Sequence, residues 1–188
     1  MSNPQVAFFR NMNLGQARSH SPTRPVLEGA FIAAGAIGVR SFQTNGTVLF
    51  DPLDAAPTAV IEQVRAILAE RVGYTDIAPV QSLDAVAGLV HTTRASLPAV
   101  DRAIYVTFFF FAPDGSLDWA APGAGLDSVG TTVVASGPGW VVTQVAPGGD
   151  PTTAVQARLG SKATTRGFGT IERLLRAAGS GADSATRE

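Results

Sequence analysis

Cysteine is absent from this sequence, which removes disulfides, cysteine-held zinc or iron–sulfur sites and thiol nucleophiles. Lysine is almost absent too: Lys162 stands alone beside 13 arginines, a bias that, with the abundant Ala and Gly, reads as genomic base composition. His20 and His91 are the two histidines, too few for a three-histidine zinc site. The longest apolar runs, 29–39 and 103–112, fall well short of the ~20 residues needed to cross a bilayer. The opening Met1-Ser2-Asn3-Pro4 has neither the basic segment nor the apolar run of a secretory leader, so a cytoplasmic protein without a membrane segment is expected.

What is present belongs to a core-forming chain: 188 residues, 45% hydrophobic and 15% charged, enough for one large domain or two small halves. The net charge of −1 hides an uneven distribution. Residues 1–27 hold Arg10, Arg18 and Arg24 with no acid; residues 28–157 carry −7; residues 158–178 return to +4. Two basic stretches therefore flank an acidic middle. No basic stripe with interleaved aromatics occurs, so nucleic acid is not an expected partner.

An apolar strand over 5–12 leads into a polar loop over 13–23. Pro25 suits a first helical turn, and Leu27, Ala30, Phe31 and Ala34 recur on one helical face that Gly35 and Gly38 end. Two strands, 39–44 and 47–51, flank Asn45-Gly46, a dipeptide that tolerates the positive φ angles of a tight hairpin turn. Pro57 opens a helix with the stripe Val60, Ile61, Val64, Ile67 and Leu68, closed by Gly73. A strand over 76–81 completes β-α-β-β-α-β, the ferredoxin-like order, and Ser82 opens a further helix carrying Leu83, Val86, Leu89 and Val90.

The second half repeats the theme. Residues 102–112 read as a central strand covered on both faces, with Phe108 to Phe111 in the core. A helix over 116–128 is expected by analogy, although Pro122, Gly123 and Gly125 interrupt it. A hairpin, 129–135 with 140–145, follows; then Asp150-Pro151 caps a helix to Leu159. A last helix holds Ile171, Leu174, Leu175 and Ala178 and closes at Gly179. The expected architecture is α+β: two tandem ferredoxin-like (β-α-β-β-α-β) halves packed together, 1–82 and 83–178, with a C-terminal helix and a polar, mobile tail over 179–188.

Chemistry is harder to find. The lysine lies in Leu159-Gly160-Ser161-Lys162-Ala163, without P-loop spacing; no G-x-G-x-x-G opens a helix after a strand, and no G-x-S-x-G elbow exists. His91 falls inside a helix, where packing or solvation explains it; His20 sits among Arg18, Ser19, Ser21, Thr23 and Arg24 in the first loop. Acids such as Asp51, Asp54, Asp114 and Asp118 stand in turns, where local hydrogen bonds favour Asp. No metal, cofactor or catalytic residue is assigned.

Two polar motifs remain: 10–15, leaving the first strand, and 163–170, entering the last helix. With them the chain resembles the bacterial domain-of-unknown-function family 1697, whose members carry R-G-I-N-V-G after the first strand and T-x-R-N-W-x-T before a closing Leu-rich helix. The hairpin 41–50 is similar to that family's T-Y-I-Q-S-G-N-V-V-F. Arg10, Asn13, Gly15, Gly46, Thr165, Arg166 and Thr170 match, whereas Thr47, Gly167 and Phe168 depart from the pattern. The resemblance implies a ferredoxin-like α+β architecture and brings no activity with it.

The resulting expectation is a binding protein for a small anionic ligand, held by Arg10, Asn13, Gly15, Arg18, His20, Thr165, Arg166 and Thr170, with Arg166 at the start of the last helix. An enzyme of specialised metabolism working without metal or nucleotide, and a structural or oligomerising protein such as a homodimer, are the rival readings. A competing arrangement pairs Arg10 and Arg166 with acids of the middle segment, such as Asp51 or Asp76.

Overall fold

The computed structural model describes residues 4–16, 20–97, 102–110, 119 and 130–182. Its elements run β1 (Gln5–Phe8), α1 (Arg24–Ala33), β2 (Ile37–Phe42), β3 (Thr47–Asp51), α2 (Pro57–Val72), β4 (Val80–Ser82) and α3 (Leu83–Ser96). There follow β5 (Ala103–Phe109), β6 (Thr131–Gly137), β7 (Trp140–Val145), α4 (Pro151–Leu159), β8 (Ala163–Gly167) and α5 (Phe168–Ala182). The chain divides into two compact units, Met1–Leu83 and Asp84–Glu188. Each holds one four-stranded antiparallel sheet, ordered β2-β3-β1-β4 in the first and β6-β7-β5-β8 in the second.

In the first unit the helical periodicity decides which side chains meet the sheet. Leu27, Ala30 and Phe31 of α1 and Val60, Ile61, Val64 and Leu68 of α2 are buried against Ala7, Phe9, Val48 and Phe50. Phe31 centres this layer, with its ring 6.0 Å from Phe9 and 4.9 Å from Phe50. Both helices open on proline in the first turn, where the missing N–H costs nothing. Past the end of α2, Gly73 in the left-handed region and Tyr74 donate to the carbonyls of Ala69 and Leu68.

The first unit differs from the sequence expectations in several places: β1 ends at Phe8 rather than at residue 12, and β2 runs over Ile37–Phe42 rather than 39–44, so that Gly38 lies in a strand. The strand expected over 76–81 is confined to Val80–Ser82, since Pro79 has no N–H to give a ladder; Phe8 and Arg10 donate instead to the carbonyls of Pro79 and Ile77. The hairpin turn is not a two-residue Asn45-Gly46 loop. Residues 43–46 form it, with positive φ at Gln43 (58°) and Gly46 (68°), because Thr44 and Gly46 turn their carbonyls toward the N–H groups of Leu14 and Phe9.

In the second unit β5 is interior to its sheet, flanked by β7 and β8. Val106, Thr107, Phe108 and Phe109 are buried. Phe110 lies beyond the end of the strand and is 43% exposed, because pairing to β7 stops at Phe108 and pairing to β8 at Phe109; Phe111 and the helix expected over 116–128 fall outside the described residues, except Trp119. Trp119 is buried against Phe109, over a cluster that includes Val141, Ala154 and Val155.

The motif expected to enter the last helix begins with a strand not assigned from the sequence, β8, over 163–167. α5 begins directly after it, buries Ile171 and Leu174, and continues past Gly179 to Ala182; the rest of the expected tail lies outside the described residues.

Asp150 caps α4, accepting from the N–H groups of Thr152 and Thr153 and from the Thr153 hydroxyl. The Thr153 hydroxyl, then the backbone N–H groups, hold its carboxyl below the ordinary value. A lowered folded-state pKa means that this stabilisation is present above the unfolded value of 3.8 and fades as pH falls through the folded one. Replacing Asp150 by Ala should therefore cost about 1 kcal/mol at neutral pH. In urea titrations the difference from the parent should shrink below pH 4; a pH-independent difference would contradict the capping account.

Candidate functional site

The segment leaving β1 is built around Asp76. Arg10 Nη1 donates to Asp76 Oδ2 at 2.6 Å and Asn11 Nδ2 to the same oxygen at 3.0 Å, while Oδ1 accepts from the Ile77 N–H at 2.9 Å. Arg65 Nε donates to the Asp76 carbonyl at 2.9 Å, and the Tyr74 hydroxyl donates to the Arg10 carbonyl at 2.7 Å. Of the two arrangements open to Arg10, the structure shows the ion pair with Asp76.

Beyond Arg10 the loop is tied to its surroundings at several points. The Asn13 N–H donates to Ser21 Oγ at 2.9 Å, and the N–H groups of Leu14 and Gly15 donate to the carbonyls of Thr44 and Pro22. Arg24, just inside α1, donates to the carbonyls of Ser41 and Gln43 at 2.6 and 2.9 Å. His20 Nδ1 lies 3.2 Å from the carbonyl of Val72 at the end of α2, which fits the tautomer protonated at Nδ1. Arg18 lies outside the described residues.

Four non-glycine residues have positive φ among the described residues, and three of them border this loop: Asn11 (52°), His20 (52°) and Gln43 (58°). Such backbone costs free energy and persists where surrounding contacts over-determine it. Gln43 and Tyr74 thus join the region without a signal in the sequence, whereas Asn11 lies in the 10–15 motif, with a residue type that enters the left-handed region readily, and Asp76 is one of the acids the sequence offers as a partner for Arg10.

The other motif belongs to β8 and α5. Thr165 faces Thr107 of β5, with their hydroxyls 2.9 Å apart, and accepts from the Thr152 hydroxyl of α4 at 2.8 Å. Arg166 is 8% exposed and donates to Thr164 Oγ1 and to the Thr165 carbonyl, both at 2.8 Å. Thr170 Oγ1 accepts from Arg173 at 3.1 Å. Arg10, Asn13, Gly15 and His20 belong to the first unit and Thr165, Arg166 and Thr170 to the second. Among the described residues no group of three or more His, Asp or Glu is placed to hold a metal ion, and no helix is long and apolar enough to cross a membrane.

A family-wide sequence pattern described as "Protein of unknown function (DUF1697)" matches residues 2–120, which includes β1, its loop and the hairpin 41–50. The chain belongs to the DUF1697 family. Among solved structures, this DUF1697 protein is similar to a conserved bacterial protein from Streptococcus pneumoniae, with a TM-score of 0.59 at 15% identity over 94% of this chain and 99% of that one. At that identity the likeness concerns the fold. No curated protein matches the sequence.

Proposed function

We propose that this DUF1697 protein is a cytoplasmic binding protein for a small anionic ligand, with the loop after β1 as its ligand-facing segment. The observation that carries the reading is the convergence of strained backbone at Asn11, His20 and Gln43 on one tethered polar loop. A loop held in this way is pre-organised, so little ordering entropy opposes binding. The first 27 residues contain three arginines and no acid, but Asp76 pairs with Arg10 and Glu28 lies 3.9 Å from Arg24, so the anion is proposed to meet hydrogen-bond donors of the loop rather than a free cation. His20 and Asn13 are proposed as those donors. Each unit is read as ferredoxin-like, a reading supported by the shared strand order 4-1-3-2 with all neighbours antiparallel.

A second reading, a structural role for the polar motifs, draws on Thr165 and Thr170, whose hydroxyls are engaged by Thr107, Thr152 and Arg173 within the second unit. The two readings part in a thermal-shift screen of the full chain against nucleotides, sugar phosphates and organic acids. A binder raises the melting temperature in a concentration-dependent way. His20→Asn keeps a residue suited to the left-handed backbone while removing the imidazole, and should reduce that rise, as should Asn13→Ala. If no compound gives a saturable rise, or both variants respond as the parent does, the loop is structural.

A further inference from the structure

The second unit carries a concavity that neither polar motif touches. It has a volume of about 220 Å³ and is lined by Arg102, Ala103, Tyr105, Val145 and the turn 146–149. That is below the ~300–1,000 Å³ of pockets for drug-sized molecules, so its occupant is small. It forms where β5 begins beside the end of β7, with Ala103 paired to Val145, and where the chain turns toward α4.

We propose that this cleft binds a small organic monocarboxylate with an apolar body. Three donors border it: the Arg102 guanidinium, the Tyr105 hydroxyl and the Gly148 N–H, and none of them has a hydrogen-bond partner among the described residues. An arginine fork accepts both oxygens of a carboxylate, and a hydroxyl and a backbone N–H complete its lone pairs. The rest of the wall is apolar, from Ala103, Val145, Ala146 and Pro147, which suits a hydrocarbon body better than a bare ion. Among the described residues one cation lines the cleft, which matches a single negative charge. Asp150, one residue beyond the turn, stays ionised and opposes an anion, but its carboxylate oxygens hydrogen-bond to Thr152 and Thr153 of its own helix rather than to Arg102.

The sheet behind the wall adds an independent sign of polar chemistry. Thr143 lies directly across from Tyr105, and Thr131 directly across from Val145, so both side chains share the lining residues' face. Both threonines are fully buried, and their hydroxyls have no hydrogen-bond partner among the described residues. Enclosed hydroxyls of this kind are costly in a purely structural wall.

The test is an amide-resolved NMR titration of the full chain with sodium benzoate, in parallel with inorganic phosphate and benzyl alcohol at matched ionic strength. Benzoate should shift the amide signals of Arg102, Tyr105, Gly148 and Gly149 saturably, and benzyl alcohol should not. Arg102 is exposed, so Arg102→Gln should leave the remaining spectrum intact while weakening benzoate binding at least about tenfold. Tyr105→Phe removes one hydroxyl and should weaken it less. Shifts scattered over the surface, or equal affinity in Arg102→Gln, would overturn the site. Phosphate binding as tightly as benzoate at the same amides would overturn the monocarboxylate assignment. The titration is independent of the β1 loop, whose variants should bind benzoate here as the parent does.

Discussion

Gly46→Ala should destabilise the first unit by about 2–5 kcal/mol, read as a drop in the urea midpoint. Two costs combine. Gly46 has φ +68°, and a side chain in that region costs about 1–2 kcal/mol. A Cβ added there would also stand 2.7 Å from the Met12 Cβ and 2.9 Å from the Phe9 Cβ, both in the buried core. Those atoms lie at the roots of their side chains and cannot swing aside, so overpacking adds about 1–3 kcal/mol. Gly46→Asn separates the terms: Asn tolerates the backbone angle but keeps the clashing Cβ, so it should recover only part of the loss. A loss below about 1 kcal/mol for Gly46→Ala would mean that β1 and the hairpin turn slide apart readily. The substitution also matters for the proposed ligand site, since the Gly46 carbonyl accepts from Phe9 and the Thr44 carbonyl from Leu14.

Asp76→Ala should cost about 2–3 kcal/mol, more than an ordinary surface pair and less than a fully buried one. The side chains of Arg10 and Asp76 are only 23% and 15% exposed, so the pair is partly shielded from water. Removing the carboxylate takes the 2.6 Å ion pair from the Arg10 guanidinium and also releases Asn11 Nδ2 and the Ile77 N–H. Arg94–Glu172 supplies the contrast: Arg94 is 64% exposed, and Arg94→Ala should cost under about 1 kcal/mol. Combining Asp76→Leu with Arg10→Met should recover much of the Asp76→Ala loss, because no unpaired charge is left behind. If the double variant is no more stable than Asp76→Ala, the pair positions the loop through its hydrogen bonds rather than merely balancing charge.

Much of the fold was legible because the signals are local. The stripes of α1 and α2 each need only one helix's own periodicity, and Gly73, Asp150 and Pro151 act on the turn beside them. The apolar run of β5 announced an interior strand for a similar reason: residues covered on both faces need not alternate.

Contacts between distant segments decided the rest. β8 was missed because Ala163-Thr164-Thr165-Arg166-Gly167 has no apolar alternation, and its extended form comes from hydrogen bonding to β5, more than fifty residues earlier in sequence. The hairpin turn spread over 43–46 because the loop after β1 claims its carbonyls. Sequence placed Arg10 at the end of the first strand and offered Asp51 or Asp76 as its partner. Only the chain path after α2, with Tyr74 held to the Arg10 carbonyl, brings Asp76 within 2.6 Å. The cleft of Arg102, Tyr105 and Gly148 has no linear signature, because it exists only where the start of one strand meets the end of its antiparallel neighbour. Residue order sets propensity within a turn or two, whereas the partner of a charge and the walls of a cleft depend on segments joined only when the sheets close.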